Sequence, residues 1–278
     1  MTDIARRAAE MRMDIVSMIA EAGSGHPGGS LSCADILAAL YFGGSMSYDP
    51  GNPDDPDRDR FILCKGHAAP ALYAVLAQAG YLDRDELKTL RKLGTRLQGH
   101  PDSSLLPGVE VSTGSLGQGL SVACGLAAGL RLQKRPSAVF ALLGDGECQE
   151  GQVWEALMFA AHQGLDNLVA IVDRNDLQID GHVCDVCDIS DLSAKLAAFN
   201  WNVLEVDGHD LDALVQTLAQ AKAMKNGKPV AIVAKTVKGK GVSFMEDAAG
   251  WHGKAPNAEQ AAQALEELTC AYKEVCGD

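Results

Sequence analysis

Asp145, within Gly144-Asp145-Gly146, closes one run of apolar residues, and Asn175, 30 residues further on, closes the next. A carboxylate and a carboxamide held side by side suit a small hard cation. Magnesium takes six oxygens at about 2.0–2.1 Å and is commonly shared with phosphates. Asp145, Asn175 and a backbone carbonyl just beyond, that of Leu177, would leave room on such a cation for a diphosphate. Gly-Asp-Gly alone is ordinary turn chemistry. Its weight comes from the elements around it.

Ala138-Val139-Phe140-Ala141-Leu142-Leu143 is an uninterrupted apolar run stopped by glycine, the pattern of a parallel strand buried on both faces. Trp154 to His162 carries apolar residues at helical spacing, and Leu168-Val169-Ala170-Ile171-Val172 is a second buried strand. The crossover of such a β-α-β unit is right-handed and leaves its strands parallel. Asp145 and Asn175 should therefore emerge together at the carboxyl edge of the sheet, where open α/β sheets bind ligands. A phosphate cradle is also readable: Ser115, Gly117 and Gly119 let backbone N–H groups approach an anion where a helix begins.

Of seven histidines, His26, His67, His100 and His252 each adjoin glycine or proline in predicted loops. There the backbone can approach a ligand and an imidazole can reach it. His162 lies on a predicted helix and reads as packing or capping, and His182 and His209 sit in Asp-Gly-His turns that read as structural. Lys65 and Lys238 are glycine-flanked lysines that can face an anion as readily as solvent. Glu147, Glu150 and Glu155 form a run at a helix start, where acidic residues are stabilising in any case.

The remaining elements read as one α/β domain over residues 1–278, with a parallel sheet and helices on both faces. Helices are predicted to Ala20, from about Cys33 to Phe42, Pro70 to Gly80, Leu120 to Gln133, Leu211 to Lys225, and about Asn257 to Val275. Further strands are predicted at Phe61–Cys64, Trp201–Val206 and Val230–Ala234. Residues 47–60 read as a surface loop, and the long glycine-, serine- and proline-rich stretch from Gln98 to Gly119 as a binding loop.

Composition narrows the setting. A net charge of -13, with no basic stripe, argues against a nucleic-acid partner. No segment approaches the run of about 20 apolar residues that spans a bilayer, and the charged, amphipathic amino terminus is unlike an export signal. A cytoplasmic protein with mostly reduced thiols is expected from its eight cysteines. Cys184-Asp185-Val186-Cys187 has C-x-x-C spacing, but no second pair accompanies it and it reads as incidental loop thiols.

Gly-Asp-Gly followed at this distance by Asn resembles the diphosphate-binding signature of thiamine diphosphate enzymes. Ser24-Gly25-His26-Pro27-Gly28, Lys65-Gly66-His67-Ala68, Gly99-His100-Pro101, Gly114-Ser115-Leu116-Gly117-Gln118-Gly119, Asp180-Gly181-His182, Asp207-Gly208-His209-Asp210 and Trp251-His252-Gly253-Lys254 occur in the order found in transketolases. The match runs to about residue 257 and covers only the amino-terminal, diphosphate-binding domain of that family. Lys65 and Lys238 make it more similar to the animal-type branch than to the common bacterial one.

The resemblance implies a thiamine diphosphate-binding fold and two-carbon ketol transfer through a carbanion on the cofactor. It assigns His26, His67, His100 and His252 to the thiazolium and donor sugar, and Glu150 and Glu155 to a proton-sharing subunit interface. For the cofactor it implies Lys65, His67, Gly114, Ser115, Leu116, Gly117, Gly144, Asp145, Gly146, Glu147, Asn175, Lys238 and His252, with Mg²⁺ (or Ca²⁺ or Mn²⁺) on Asp145, Asn175 and Leu177. The pyrimidine-binding and carboxyl-terminal domains of the family, with the glutamate that protonates the pyrimidine, are absent from these 278 residues. The expectation is therefore the amino-terminal subunit of a split transketolase, active only with a partner subunit in an α2β2 heterotetramer and acting on sugars or sugar phosphates. The rival readings are an α-type subunit of another thiamine diphosphate enzyme and a non-catalytic cofactor-binding fragment.

Overall fold

The computed structural model describes residues 2–277. Its five-stranded sheet has β1 (Arg60–Leu63), β2 (Val139–Gly144), β3 (Leu168–Arg174), β6 (Asn202–Asp207) and β7 (Val230–Lys235). The order is β1-β2-β3-β7-β6 and every pairing is parallel. The period-2 alternation of strand side chains divides the interior into two cores. Phe61, Leu63, Phe140, Leu142, Val169, Ile171, Val230 and Ile232 face one, and Ile62, Val139, Ala141, Leu143, Leu168, Ala170, Val172 and Val233 the other.

Nine of the ten α-helices among the described residues supply the outer layers. The first core is covered by α1 (Thr2–Ala22), α2 (Pro27–Ser32), α3 (Ala34–Phe42), α4 (Ala69–Ala79), α9 (Leu211–Ala223) and α10 (Ala258–Cys276). The second is covered by α5 (Gln118–Leu132), α6 (Gly151–Gln163) and α8 (Leu192–Ala198). A short hairpin, β4 (Leu177–Gln178) and β5 (Gly181–His182), leads into the one-turn helix α7 (Val183–Cys187).

The expected architecture is present, with three local differences. The helix predicted from Cys33 is preceded by a separate one, α2, which starts with Pro27 at its first turn and is buried throughout. Its Gly28 and Gly29 lower helix propensity, which hid it, yet a Cβ on Gly28 would come within 3.0 Å of Lys238 and of the Trp251 carbonyl. Cys184 and Cys187 lie on α7 rather than in an irregular connection, and both are exposed. The turn Ile179-Asp180 closes the β4–β5 hairpin, whose two-residue strands are too short for a periodicity signal.

Candidate functional site

The register places the two opening residues together. Gly144 pairs with Asp173, so Asp145 and Asn175 leave adjacent strands at the carboxyl edge, and Asp145 N–H reaches the Asp173 carbonyl at 3.3 Å. Below them lies a buried polar knot. Lys65 Nζ, 1% exposed, donates to Asp173 Oδ2 at 2.5 Å and to the Gly29 carbonyl at 2.7 Å. Asp173 is fully buried and also accepts from Ser32 Oγ at 2.6 Å and from Thr236 Oγ1. Burial works against both charges, but the pairing outweighs it: Lys65 is held above the ordinary lysine range and Asp173 below the carboxylate range.

Asp145 stands next to this knot without a cation of its own. Its carboxylate accepts only backbone N–H groups, from Gly146 at 2.8 Å and Asp176 at 2.5 Å. Burial, then the Asp173 charge, push its carboxyl up to about 6. Asn175 turns its Nδ2 to Asp173 at 3.3 Å and its Oδ1 to the Leu177 N–H at 3.3 Å. The Leu177 carbonyl accepts from Lys238 Nζ at 3.0 Å. Burial and the nearby Lys65 charge lower the Lys238 ammonium to about 8.

The four loop histidines converge from four segments. His67 and His252 ring centroids are 4.9 Å apart, and His26 lies 5.3 Å from His67, 5.5 Å from His252 and 6.2 Å from His100. Burial, followed by cations such as Arg91 beside His26 and Lys238 beside His252, lowers these imidazoles to about 4 and about 3. His67 is lowered well below its usual value by burial and Lys65, and His100 is lowered by burial and Arg91. They are neutral imidazoles at pH 7, and the buried Nδ1 of His26 has no partner among the described residues.

A cavity of about 200 Å³ joins these groups. Of the residues assigned from sequence, Lys65, His67, Leu116, Gly144, Asp145, Gly146, Glu147, Glu150, Asn175, Leu177, Lys238 and His252 line it. Gly114, Ser115, Gly117, His26 and His100 do not. Glu155 is exposed on α6, in a separate surface hollow with Ser121 and Phe159.

The glycine loop before α5 is held by its own contacts. Gly117 donates its N–H to Glu147 Oε1 at 3.0 Å, and a Cβ on Gly119 would come within 2.7 Å of Cys64, so these glycines serve anchoring and close packing. Glu147 is correspondingly a loop anchor, accepting also from Gly144 N–H at 3.2 Å, and burial raises it to about 7.

Sequence reasoning missed Asp173, Gln149, Gln178 and Ile179. Asp173 was detectable: two positions before Asn175, it shares that residue's face of the strand. The other three line the cavity because of the hairpin and the short helical turn at Gly146–Gln149, which gave no sequence signal.

Both implied groups fit. Asp145 is a buried carboxylate short of positive charge, beside an amide oxygen and a carbonyl, an all-oxygen set of the kind hard cations take. Lys238 supplies positive charge for a diphosphate, and at Gly144 an added Cβ would meet nothing nearer than Lys65 at 3.7 Å, whereas at Gly146 it would come within 2.9 Å of Gln178. Among the described residues, no group of three or more His, Cys, Asp and Glu side chains is placed to hold a metal, so a cation here depends on the amide and backbone oxygens.

A parallel sheet with this cavity at its carboxyl edge defines a cofactor-binding α/β domain, and comparison with known proteins gives its family. Residues 4–274 match the family described as transketolase, thiamine diphosphate binding domain. The chain is 43% identical over 266 residues to the 6-deoxy-6-sulfo-D-fructose transketolase subunit SqwG of Clostridium sp. (strain MSTE9), covering 96% of each chain. It is 42% identical to an apulose-4-phosphate transketolase subunit of Phocaeicola vulgatus, covering 93% of this chain and 91% of that one. Against transketolase-like protein 2 of Bos taurus, 47% identical, it covers 98% of itself but 42% of the relative. The crystal structure of Campylobacter jejuni transketolase superposes with a TM-score of 0.90 at 32% identity, over 99% of this chain and 46% of that one. The chain belongs to the transketolase family, as its thiamine diphosphate-binding domain.

Proposed function

We propose that this chain is the cofactor-binding half of a two-subunit transketolase. Together with a chain carrying the pyrimidine-binding and carboxyl-terminal domains, it transfers a two-carbon ketol unit from a ketose donor to an aldose acceptor. The observation that carries the reading is the single cavity joining Asp145, Asn175, Leu177, Lys238, His67 and His252 at the sheet's carboxyl edge. Coverage supports the division between chains: the two subunit relatives are matched over 96% and 91% of their length, the bovine relative over 42%.

In this reading Asp145, Asn175 and the Leu177 carbonyl hold Mg²⁺, Ca²⁺ or Mn²⁺, and the cation carries the diphosphate. Lys238 Nζ, 3.0 Å from that carbonyl, would face the phosphates. Bound thiamine diphosphate supplies the stabilised carbanion that the protein cannot make. The chain positions it and handles protons. Neutral His26, His67, His100 and His252 accept or donate hydrogen bonds to the sugar hydroxyls and reacting oxygens without adding charge. Gly144, Gly146 and Leu116 shape the wall, Gly114, Ser115 and Gly117 its adjoining loop, and Glu150 and Glu155 face a second copy across an interface in a cytoplasmic α2β2 assembly. The relatives' names favour sugar phosphates or sulfonated sugars as substrates, with pentose phosphates the ordinary case.

Asp145→Ala tests the site. It removes the sole charged ligand of the proposed set and should weaken Mg²⁺-dependent thiamine diphosphate binding in calorimetric titration while leaving the fold intact. Unchanged affinity would mean that the site is elsewhere.

A further inference from the structure

We propose that Asp173 is a positioning residue for the cation site, fixing the Asn175 amide so that its oxygen, and not its nitrogen, faces the metal. This rests on the cofactor reading above. An ionised carboxylate only accepts hydrogen bonds. Asp173 Oδ2 stands 3.3 Å from Asn175 Nδ2, and on the other side the Leu177 N–H, which only donates, points at Asn175 Oδ1 at 3.3 Å. A flipped amide would set oxygen against carboxylate and NH₂ against N–H. Both contacts therefore select one orientation.

The orienting carboxylate is itself immobilised. Lys65, Ser32 and Thr236 hold it from three different segments, and Lys65 is tied in turn to the Gly29 carbonyl at 2.7 Å. Its position on β3, two residues before Asn175, puts both side chains on the same face at the strand's end. An amide nitrogen carries protons and no lone pair for a cation, so an Asn175 free to flip would present a ligand only part of the time. Lys65 thereby acts on the cation through Asp173, gripping the fully buried orienting carboxylate at 2.5 Å.

The test uses the full-length chain and Mn²⁺ with thiamine diphosphate, reading free Mn²⁺ by electron paramagnetic resonance. Asp173→Asn alone strands the Lys65 charge and is prone to misfolding. The informative variant is therefore Lys65→Met with Asp173→Asn, a neutral pair, checked for a native circular dichroism spectrum. Loss of such an outer partner typically weakens metal affinity about 10–100-fold, which is the loss expected here. Adding Asn175→Asp to the neutral pair should restore most of it, because a carboxylate offers oxygen in either orientation. The gain should exceed that from Asn175→Asp in the native chain, where the amide is already oriented. Native affinity in the neutral pair, or equal gains in the two backgrounds, would overturn the proposal. If the native chain binds no Mn²⁺·thiamine diphosphate either alone or mixed with a chain carrying the pyrimidine-binding and carboxyl-terminal domains, or Asp145→Ala binds it equally well, the cofactor reading fails and this proposal falls with it.

Discussion

Glu147 and Gly117 meet beneath the cavity: the carboxylate accepts the Gly117 N–H at 3.0 Å with one oxygen and the Gly144 N–H at 3.2 Å with the other. The loop before α5 and the end of β2 are thus joined by one side chain that needs two acceptor oxygens. Glu147→Gln keeps only one. The lost contact leaves a buried donor unpaired and should cost about 1–3 kcal/mol in urea unfolding, with faster hydrogen exchange at the Gly117 amide. An unchanged midpoint and unchanged exchange would show that the loop is anchored by other contacts.

The histidine cluster sets a pH dependence. His26 and His252 are lowered to about 4 and about 3 in the fold, against about 6.5 in an unfolded chain. Between those values the unfolded state binds more protons, so stability falls as pH drops from about 6.5 towards 4. Asp145 and Glu147, raised to about 6 and about 7, work the other way, because there the folded state holds the extra protons. A comparison isolates the imidazole. His252→Gln should lose less stability than the native chain on acidification, the difference growing by up to tenfold in the unfolding equilibrium per pH unit below about 6.5. Parallel urea curves at pH 7 and pH 5 make the measurement. An equal acid loss in both proteins would contradict the neutral buried assignment.

Two histidines in similar Asp-Gly-His turns should behave differently. His209 Nδ1 is 2.7 Å from Asp35 Oδ2, and its Nε2 accepts the Val237 N–H at 2.9 Å. Asp35 is also held by Arg12 through two contacts at 2.9 and 2.6 Å. This ties α1 and α3 to the segment that carries Lys238. His209→Ala should cost about 1–3 kcal/mol, whereas exposed His182→Ala should stay within about 0.5 kcal/mol of native. Thermal unfolding of both variants decides it, and equal midpoints would remove the distinction.

The contrast between those two turns marks where sequence reading stops. Asp145 and Asn175 were legible because buried parallel strands declare themselves as apolar runs, and the handed β-α-β crossover brings their ends together. His26, His67, His100 and His252 were legible by type and by glycine or proline neighbours, although their convergence required the fold. The Gly117 contact is not legible, because a glycine at a helix start looks the same whether its N–H meets a phosphate or a carboxylate 30 residues away. Asp173 has a local signal in its spacing from Asn175, but its role depends on partners at positions 32, 65 and 236, and no local pattern encodes such long-range contacts.

The most direct measurement of the division between chains is two-carbon transfer itself, with thiamine diphosphate and Mg²⁺, for this chain alone, for a chain carrying the pyrimidine-binding and carboxyl-terminal domains alone, and for the mixture. Little transfer is expected from either chain and robust transfer on mixing. Full turnover by this chain free of its partner, or an inactive mixture that nonetheless binds cofactor and forms the complex, would contradict it.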